Sequence, residues 1–163
     1  MIGNIWFNWS AMARRQDFYT RLVYLRYNRV FGQIAYYLLK ILGVEIPNSV
    51  VIGKDFELAH GGFGVVLHPR SVVGEGVKIY PGVVLGRSDI FQPIESSGFE
   101  GILIGDKAIL SPGVKVLCKS GNLLVGQGTV IGANAVLLES TGEYEIWAGI
   151  PAKKIGERKM PIE

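Results

Sequence analysis

The stretch LHPRSVVGEGVKIYPGVVLG, residues 67–86, sets four aliphatic side chains, Leu67, Val73, Ile79 and Leu85, six residues apart. A helix returns to its buried face every 3.6 residues and an amphipathic strand every two, so a step of six belongs to neither. It fits a solenoid of short flat strands that turn a corner every six residues, with one inward aliphatic on each face. Glycine follows two of these aliphatics, at Gly74 and Gly86, and a branched residue stands four positions on, at Val77 and Val83. Glycine at the bend is expected to supply corner dihedrals that a Cβ would penalise.

The same step extends in both directions. Upstream it runs through Ile46, Ile52 and Leu58; downstream through Ile104, Leu110 and Val116, then Val125, Ile131 and Leu137. Gly53, Gly105, Gly126 and Gly132 take the glycine slot, and Ala108, Val114, Thr129 and Ala135 the small or branched one. Three hexapeptides make one triangular coil, and extra residues leave a coil only at its corners, where binding sites form. Three interruptions mark such corners: Ala59 to Gly64, the long segment 87–101, and the residues around Lys119 to Asn122.

Upstream, apolar residues recur at helical spacing between Arg15 and Leu42, through Phe18, Leu22, Leu25 and Val30, then Ile34, Tyr37, Leu38 and Ile41. This predicts one helix, or two with a break near Asn28, ending at Gly43. Its stripe serves packing against the body or a neighbouring subunit, or contact with a membrane surface. The run is too short and too interrupted to span a bilayer. The organisation is thus a helical segment over 1–45, a coil over 46–141 with an insertion at 87–101, and a tail over 142–163.

Composition narrows the function. A formal charge of +3, with basic residues spread along the chain, argues against nucleic-acid binding. Met1 to Ser10 lacks the layout of a signal peptide, and the single cysteine, Cys118, fits a reducing compartment, so a cytoplasmic protein is expected. Cys118 reads as a small buried hydrophobe.

The repeats, together with Trp147-Ala148-Gly149-Ile150-Pro151-Ala152-Lys153, resemble the hexapeptide-repeat acyltransferases from Ile46 to Lys154. Val44-Glu45-Ile46-Pro47, Leu58-Ala59-His60 and Gly64-Val65-Val66-Leu67-His68-Pro69 are similar to the branch of serine acetyltransferases and exopolysaccharide O-acetyltransferases. The resemblance implies an all-β solenoid, a left-handed parallel β-helix of hexapeptide repeats with an N-terminal helical segment. It also implies a homotrimer with sites between neighbouring prisms, acetyl-CoA as co-substrate, and His60 as the general base on an acceptor hydroxyl. Imidazole suits that task because its ordinary pKa, near 6.5, leaves it free to take a proton at neutral pH. A backbone N–H of Gly61-Gly62, or one on the adjacent subunit, is the expected oxyanion donor.

By the same resemblance Pro112, Ala133 and Lys153 line the CoA arm, with Lys154, Arg158 and Lys159 as further cations near its phosphates. His68 lines the substrate site or serves structure, and Asp89, Glu95 or Glu100 stands near the acceptor, with Asp89 as the candidate contact. No metal is expected: the γ-type carbonic anhydrases that share this coil need three histidines on zinc, and this chain has two. Serine-specific relatives carry an aspartate where this chain has Ala59, and a second histidine in the long loop that has no counterpart in 87–101. The expected reaction is therefore O-acetylation of a sugar or polysaccharide precursor. Serine O-acetylation and a catalytically silent trimeric scaffold are the alternatives.

Overall fold

The computed structural model describes residues 18–159. Two helices, α1 (Phe18–Leu25) and α2 (Gly32–Ile41), precede fourteen short strands. The expected helix start at Arg15 lies outside the described residues. The break falls at Asn28, whose Oδ1 accepts the N–H groups of Val30 and Phe31 at 2.9 and 3.0 Å. That local bond offers the backbone an alternative to continuing the first helix. Gly43, at φ +80°, ends α2.

Strands β1 (Val51–Ile52), β2 (Glu57–Leu58) and β3 (Val66–Leu67) make the first coil, and β4 (Ser71–Val73), β5 (Lys78–Ile79) and β6 (Val84–Arg87) the second. The third has β7 (Phe99–Ile104), β8 (Ile109–Leu110) and β9 (Lys115–Cys118); the fourth has β10 (Gly121–Val125), β11 (Val130–Ile131) and β12 (Val136–Leu137). Parallel pairing stacks them into three faces, β1-β4-β7-β10, β2-β5-β8-β11 and β3-β6-β9-β12. Register reproduces the interruptions. Val66 pairs with Val84, eighteen residues on, which is three steps of six. Val51 pairs with Val72, twenty-one on, because the extra residues of the His60 loop intervene. Ser71 pairs with Ile102, thirty-one on, across the long insertion.

All thirteen step-six aliphatics are buried, as are Val77, Val83, Ala108, Val114, Thr129 and Ala135 four positions on. The glycines that follow the aliphatics play a different part from the expected one. Gly53, Gly74, Gly105 and Gly126 do not have positive φ; a Cβ on Gly53 would stand 2.6 Å from the Glu75 nitrogen, and one on Gly105 2.7 Å from the Gln127 nitrogen. They let adjacent coils approach. The left-handed corner dihedral falls instead to residues such as Gly82 and Gly113, at φ +74° and +75°.

The two ends of the stack are closed differently. At the first coil, α1 and the turn after it replace a missing strand with side chains. Tyr24 donates its hydroxyl to the Gly53 carbonyl at 2.7 Å and accepts the Phe56 N–H at 3.0 Å. Tyr27 does the same with the Val50 carbonyl, at 2.7 Å, and the Ile52 N–H, at 2.8 Å. Thr20 accepts the Leu58 N–H at 3.1 Å. The buried Arg26 guanidinium donates to the carbonyls of Val23, Ile46 and Pro47. Sheet edges expose unpaired backbone groups, and this array satisfies them. At the other end the expected tail contains two more strands: β13 (Glu145–Gly149) pairs parallel with β11, and β14 (Ala152–Glu157) folds back antiparallel on β13. No helix among the described residues is long and apolar enough to cross a membrane.

Candidate active site

His60 lies in the short 3₁₀ turn Ala59–Gly62, at the corner between the β2 and β3 faces. The chain turns there through successive left-handed residues, His60 at φ +51°, Gly61 at +74° and Gly62 at +62°. Only glycine adopts such angles without a Cβ penalty, so the two glycines follow from the turn. Gly61 packs against the Tyr19 ring of α1, which leaves the His60 side chain exposed on the outer edge of the prism. Its imidazole makes no hydrogen bond among the described residues.

The corner beside His60 repeats in each coil. Pro81, Pro112 and Ala133 occupy it in the second, third and fourth coils, and backbone bonds link the turns in series. Gly82 donates to the Phe63 carbonyl at 2.8 Å, Gly113 to Pro81 at 2.9 Å, and Asn134 to Pro112 at 2.9 Å. Strand β13 comes next, where Gly132 donates to the Trp147 carbonyl at 2.7 Å, and its end leads into the hairpin turn to β14. His60, Pro112 and Ala133 thus line one edge, with the histidine at its helical end. Pro112 and Ala133 are exposed, and their small side chains leave the edge low.

Two residues on this edge were not singled out from sequence. The Tyr80 ring lies 5.9 Å from the His60 ring, centroid to centroid. Lys115 Nζ donates to the carbonyls of Gly82, at 2.6 Å, and Gly113, at 2.9 Å, bracing two successive turns. The signal for Tyr80 was the register itself: it follows Ile79 as Ala59 follows Leu58.

The basic residues near the hairpin are differently engaged. Lys153 is exposed and ion-paired with Glu139 at 2.7 Å; Lys154 bridges Glu145 and Glu157 at 2.9 and 2.8 Å. Arg158 donates to the Gly128 carbonyl at 3.0 Å, and Lys159 is exposed.

His68 and Asp89 belong to the next corner, between the β3 and β4 faces, and within one subunit they do not join His60. His68 packs edge-on against Phe99, at 4.6 Å between ring centroids, and its Nδ1 accepts the Arg70 N–H at 3.1 Å. Burial first, then the charges of Arg70 and Arg87, holds its pKa below the usual histidine value. Asp89 is buried, and its Oδ2 accepts from Ser97 at 2.6 Å and Gln92 at 2.7 Å, with Arg87 3.5 Å from Oδ1. The Ser97 and Gln92 bonds hold the carboxyl below the usual carboxylate range. Asp89 therefore ties the long insertion down, while Glu95 stays exposed and Glu100 accepts from Asn122 at 2.6 Å. Burial pushes the Cys118 thiol up.

No family model matches the chain. It is 32% identical over 145 residues to the serine acetyltransferase of Bacillus pumilus, a match covering 89% of this chain and 61% of that protein. Among solved structures, serine acetyltransferase from Brucella abortus superimposes with a TM-score of 0.68 at 28% identity, over 88% of this chain and 56% of that one. The same enzyme in complex with coenzyme A gives 0.66 at 26% identity, over 92% and 56%. The chain therefore spans between about half and three fifths of the length of the proteins it matches. Coil register, buried hexad positions and these two kinds of similarity together assign the chain to the hexapeptide-repeat acyltransferases of the left-handed β-helix fold, in the branch that resembles serine acetyltransferases.

Proposed function

We propose that this chain is an acetyl-CoA-dependent O-acetyltransferase in which His60 is the general base. The observation that carries the reading is the single edge on which an exposed His60, without a hydrogen bond among the described residues, heads a line of low corners, Pro112 and Ala133, ending at the β13–β14 hairpin. An extended pantetheine arm fits such an edge better than a closed pocket. The coenzyme A complex of the Brucella abortus enzyme supports the donor. In the reaction, His60 takes the proton of the acceptor hydroxyl as its oxygen attacks the thioester carbonyl. The tetrahedral oxyanion collapses, the C–S bond breaks, and the departing CoA thiolate recovers the proton from the imidazolium.

L-Serine is the acceptor that the similarities favour, since the matched proteins are serine acetyltransferases. A sugar hydroxyl is the second reading, and Ala59 favours it. Ala59 is buried beside His60 where the serine-specific pattern has an aspartate, so no carboxylate precedes the histidine to meet a substrate ammonium. An unpaired ammonium in a cleft retains a desolvation cost of several kcal/mol, roughly.

A homotrimer completes the reading. The outward residues of the first face, Val51, Val72, Leu103 and Leu124, pair in register as an all-apolar ladder. A neighbouring prism would cover it and bring its own His68 and Asp89 corner toward the His60 edge.

CoA release measured with serine and with nucleotide-linked sugars separates the acceptors. His60→Ala is expected to lower turnover about 10²- to 10⁴-fold with acetyl-CoA affinity unchanged. Turnover within threefold of the parent would remove His60 from the mechanism. A chain that binds no acetyl-CoA would support the scaffold alternative.

A further inference from the structure

We propose that the outer face of α1 and α2 docks on an anionic lipid bilayer. Helix α2 has two apolar sides. Gly32, Ala35 and Leu39 are buried on one. On the other, Ile34, Tyr37, Leu38 and Ile41 stand at helical spacing and are 57, 60, 42 and 81% exposed. Val30 and Phe31, 73 and 54% exposed, extend this strip across the link to α1, and Phe18 adds an exposed ring. A helix packed on a protein body ordinarily turns a polar face outward, and this strip has no partner among the described residues.

Charge identifies the partner. Between Phe18 and Val44 there are four basic residues and no acidic one, whereas residues 45–159 hold eleven basic and twelve acidic residues. Arg26 is consumed in the latch to the first coil and Lys40 pairs with Glu45 at 3.3 Å. Arg21 and Arg29 remain exposed, Arg29 directly before Val30 and Arg21 one helical turn from Phe18. Aliphatic and aromatic side chains flanked by cations complement acyl chains beneath anionic headgroups. A second copy seated on the same face would set Arg21 and Arg29 against their own images, so the charge pattern favours lipid over self-association.

Position supports the same occupant. The helices cover the first coil, at the end of the prism opposite the β13–β14 hairpin, and a parallel assembly of prisms would present its helices on one side, multiplying a weak contact. The His60 turn packs on this unit: Gly61 meets Tyr19, and the 72% exposed Phe63 meets Gly43. Docking would hold the head of the His60 edge close to the lipid surface, within reach of membrane-borne acceptors.

The test is co-sedimentation of the full chain with phosphatidylcholine vesicles, with and without phosphatidylglycerol. Binding is expected to the anionic vesicles and to weaken with salt. Each cation near the surface contributes roughly fivefold, so Arg21→Glu with Arg29→Glu is expected to weaken partitioning by more than about tenfold. Ile34→Asp with Ile41→Asp is expected to abolish it while leaving circular dichroism and acetyl-CoA binding unchanged. A full chain that stays in the supernatant with anionic vesicles overturns the proposal, as does binding that is equal on both vesicles and indifferent to the arginines. So does a light-scattering mass that falls in the Ile34/Ile41 variant with no vesicle binding in the parent, which would assign the face to a second copy. The readout is binding, so its failure leaves the acyl-transfer reading untouched.

Discussion

Replacing Tyr24 by Phe removes one oxygen atom and strands two backbone groups. The hydroxyl donates to the Gly53 carbonyl at 2.7 Å and accepts the Phe56 N–H at 3.0 Å, and neither group has a preceding coil to pair with. Phe56 is buried, so its amide cannot turn to water without opening the coil edge. Each stranded buried group costs about 1–3 kcal/mol, less where water reaches it. Gly53 is partly exposed, which places the expected loss for Tyr24→Phe at about 1.5–3 kcal/mol. Urea unfolding at fixed protein concentration should move the midpoint down with an unchanged slope. Exposed Tyr37→Phe serves as the control, expected within about 0.5 kcal/mol of the parent. Amide exchange adds a local signature: Tyr24→Phe should accelerate Phe56, and Tyr27→Phe should accelerate Ile52. Tyr24→Phe at parental stability with Phe56 still protected would refute the claim that α1 substitutes for a missing strand.

Gly53→Ala is expected to destabilise by about 2 kcal/mol or more, because the new Cβ would stand 2.6 Å from backbone of the next coil. Gly86→Ala, whose nearest neighbour would be the Leu117 side chain at 3.7 Å, should change stability by less than about 1 kcal/mol, and equal losses would reject the close-approach account. His68 has its pKa depressed in the folded state, so the unfolded chain binds its proton first as pH falls. Stability is expected to decline as pH drops through about 6.5 and to level off below the folded pKa, and His68→Gln should flatten that segment of a melting-temperature profile against pH. A slope of the same size in the variant would assign it to another group.

The coil was legible because its signal is one of spacing. An inward aliphatic every six residues is needed wherever three flat faces close on a narrow core, and Leu67, Val73, Ile79 and Leu85 stayed on the pattern without help from distant sequence. The interruptions were legible for the same reason, since any residue outside the step must leave the coil, and the pairings of Val51 with Val72 and of Ser71 with Ile102 carry those extra lengths. What the pattern did not carry was the purpose of a residue within its slot. Gly53, directly after Ile52, was expected to bend the corner, yet it yields room to the next coil, and the bend falls to Gly82, three after Ile79, at φ +74°. That distinction depends on coil-to-coil distance, which a single chain of letters does not encode.

The candidate site divides along the same line. His60, Pro112 and Ala133 share a hexad slot region, so register alone suffices to align them on one edge. Asp89 sits in the insertion, where no period applies, and its carboxylate goes to Ser97, Gln92 and Arg87 instead of facing outward. The polar latch of α1 and the turn after it was hidden differently: Tyr24 and Tyr27 stand outside the apolar stripe, and no spacing marks their hydroxyls as bonding the first coil. The exposed strip of α2 is the complement of that latch. With the Tyr24 and Tyr27 hydroxyls turned toward the coil edge and Ala35 and Leu39 buried in the core, Ile34, Tyr37 and Ile41 have only the outside left to face. Capping the solenoid with tyrosine hydroxyls and presenting an apolar, acid-free face outward are therefore two results of one helical pair. Loosening the cap through Tyr24→Phe is expected to weaken vesicle binding along with coil stability, whereas Ile34→Asp should weaken vesicle binding alone.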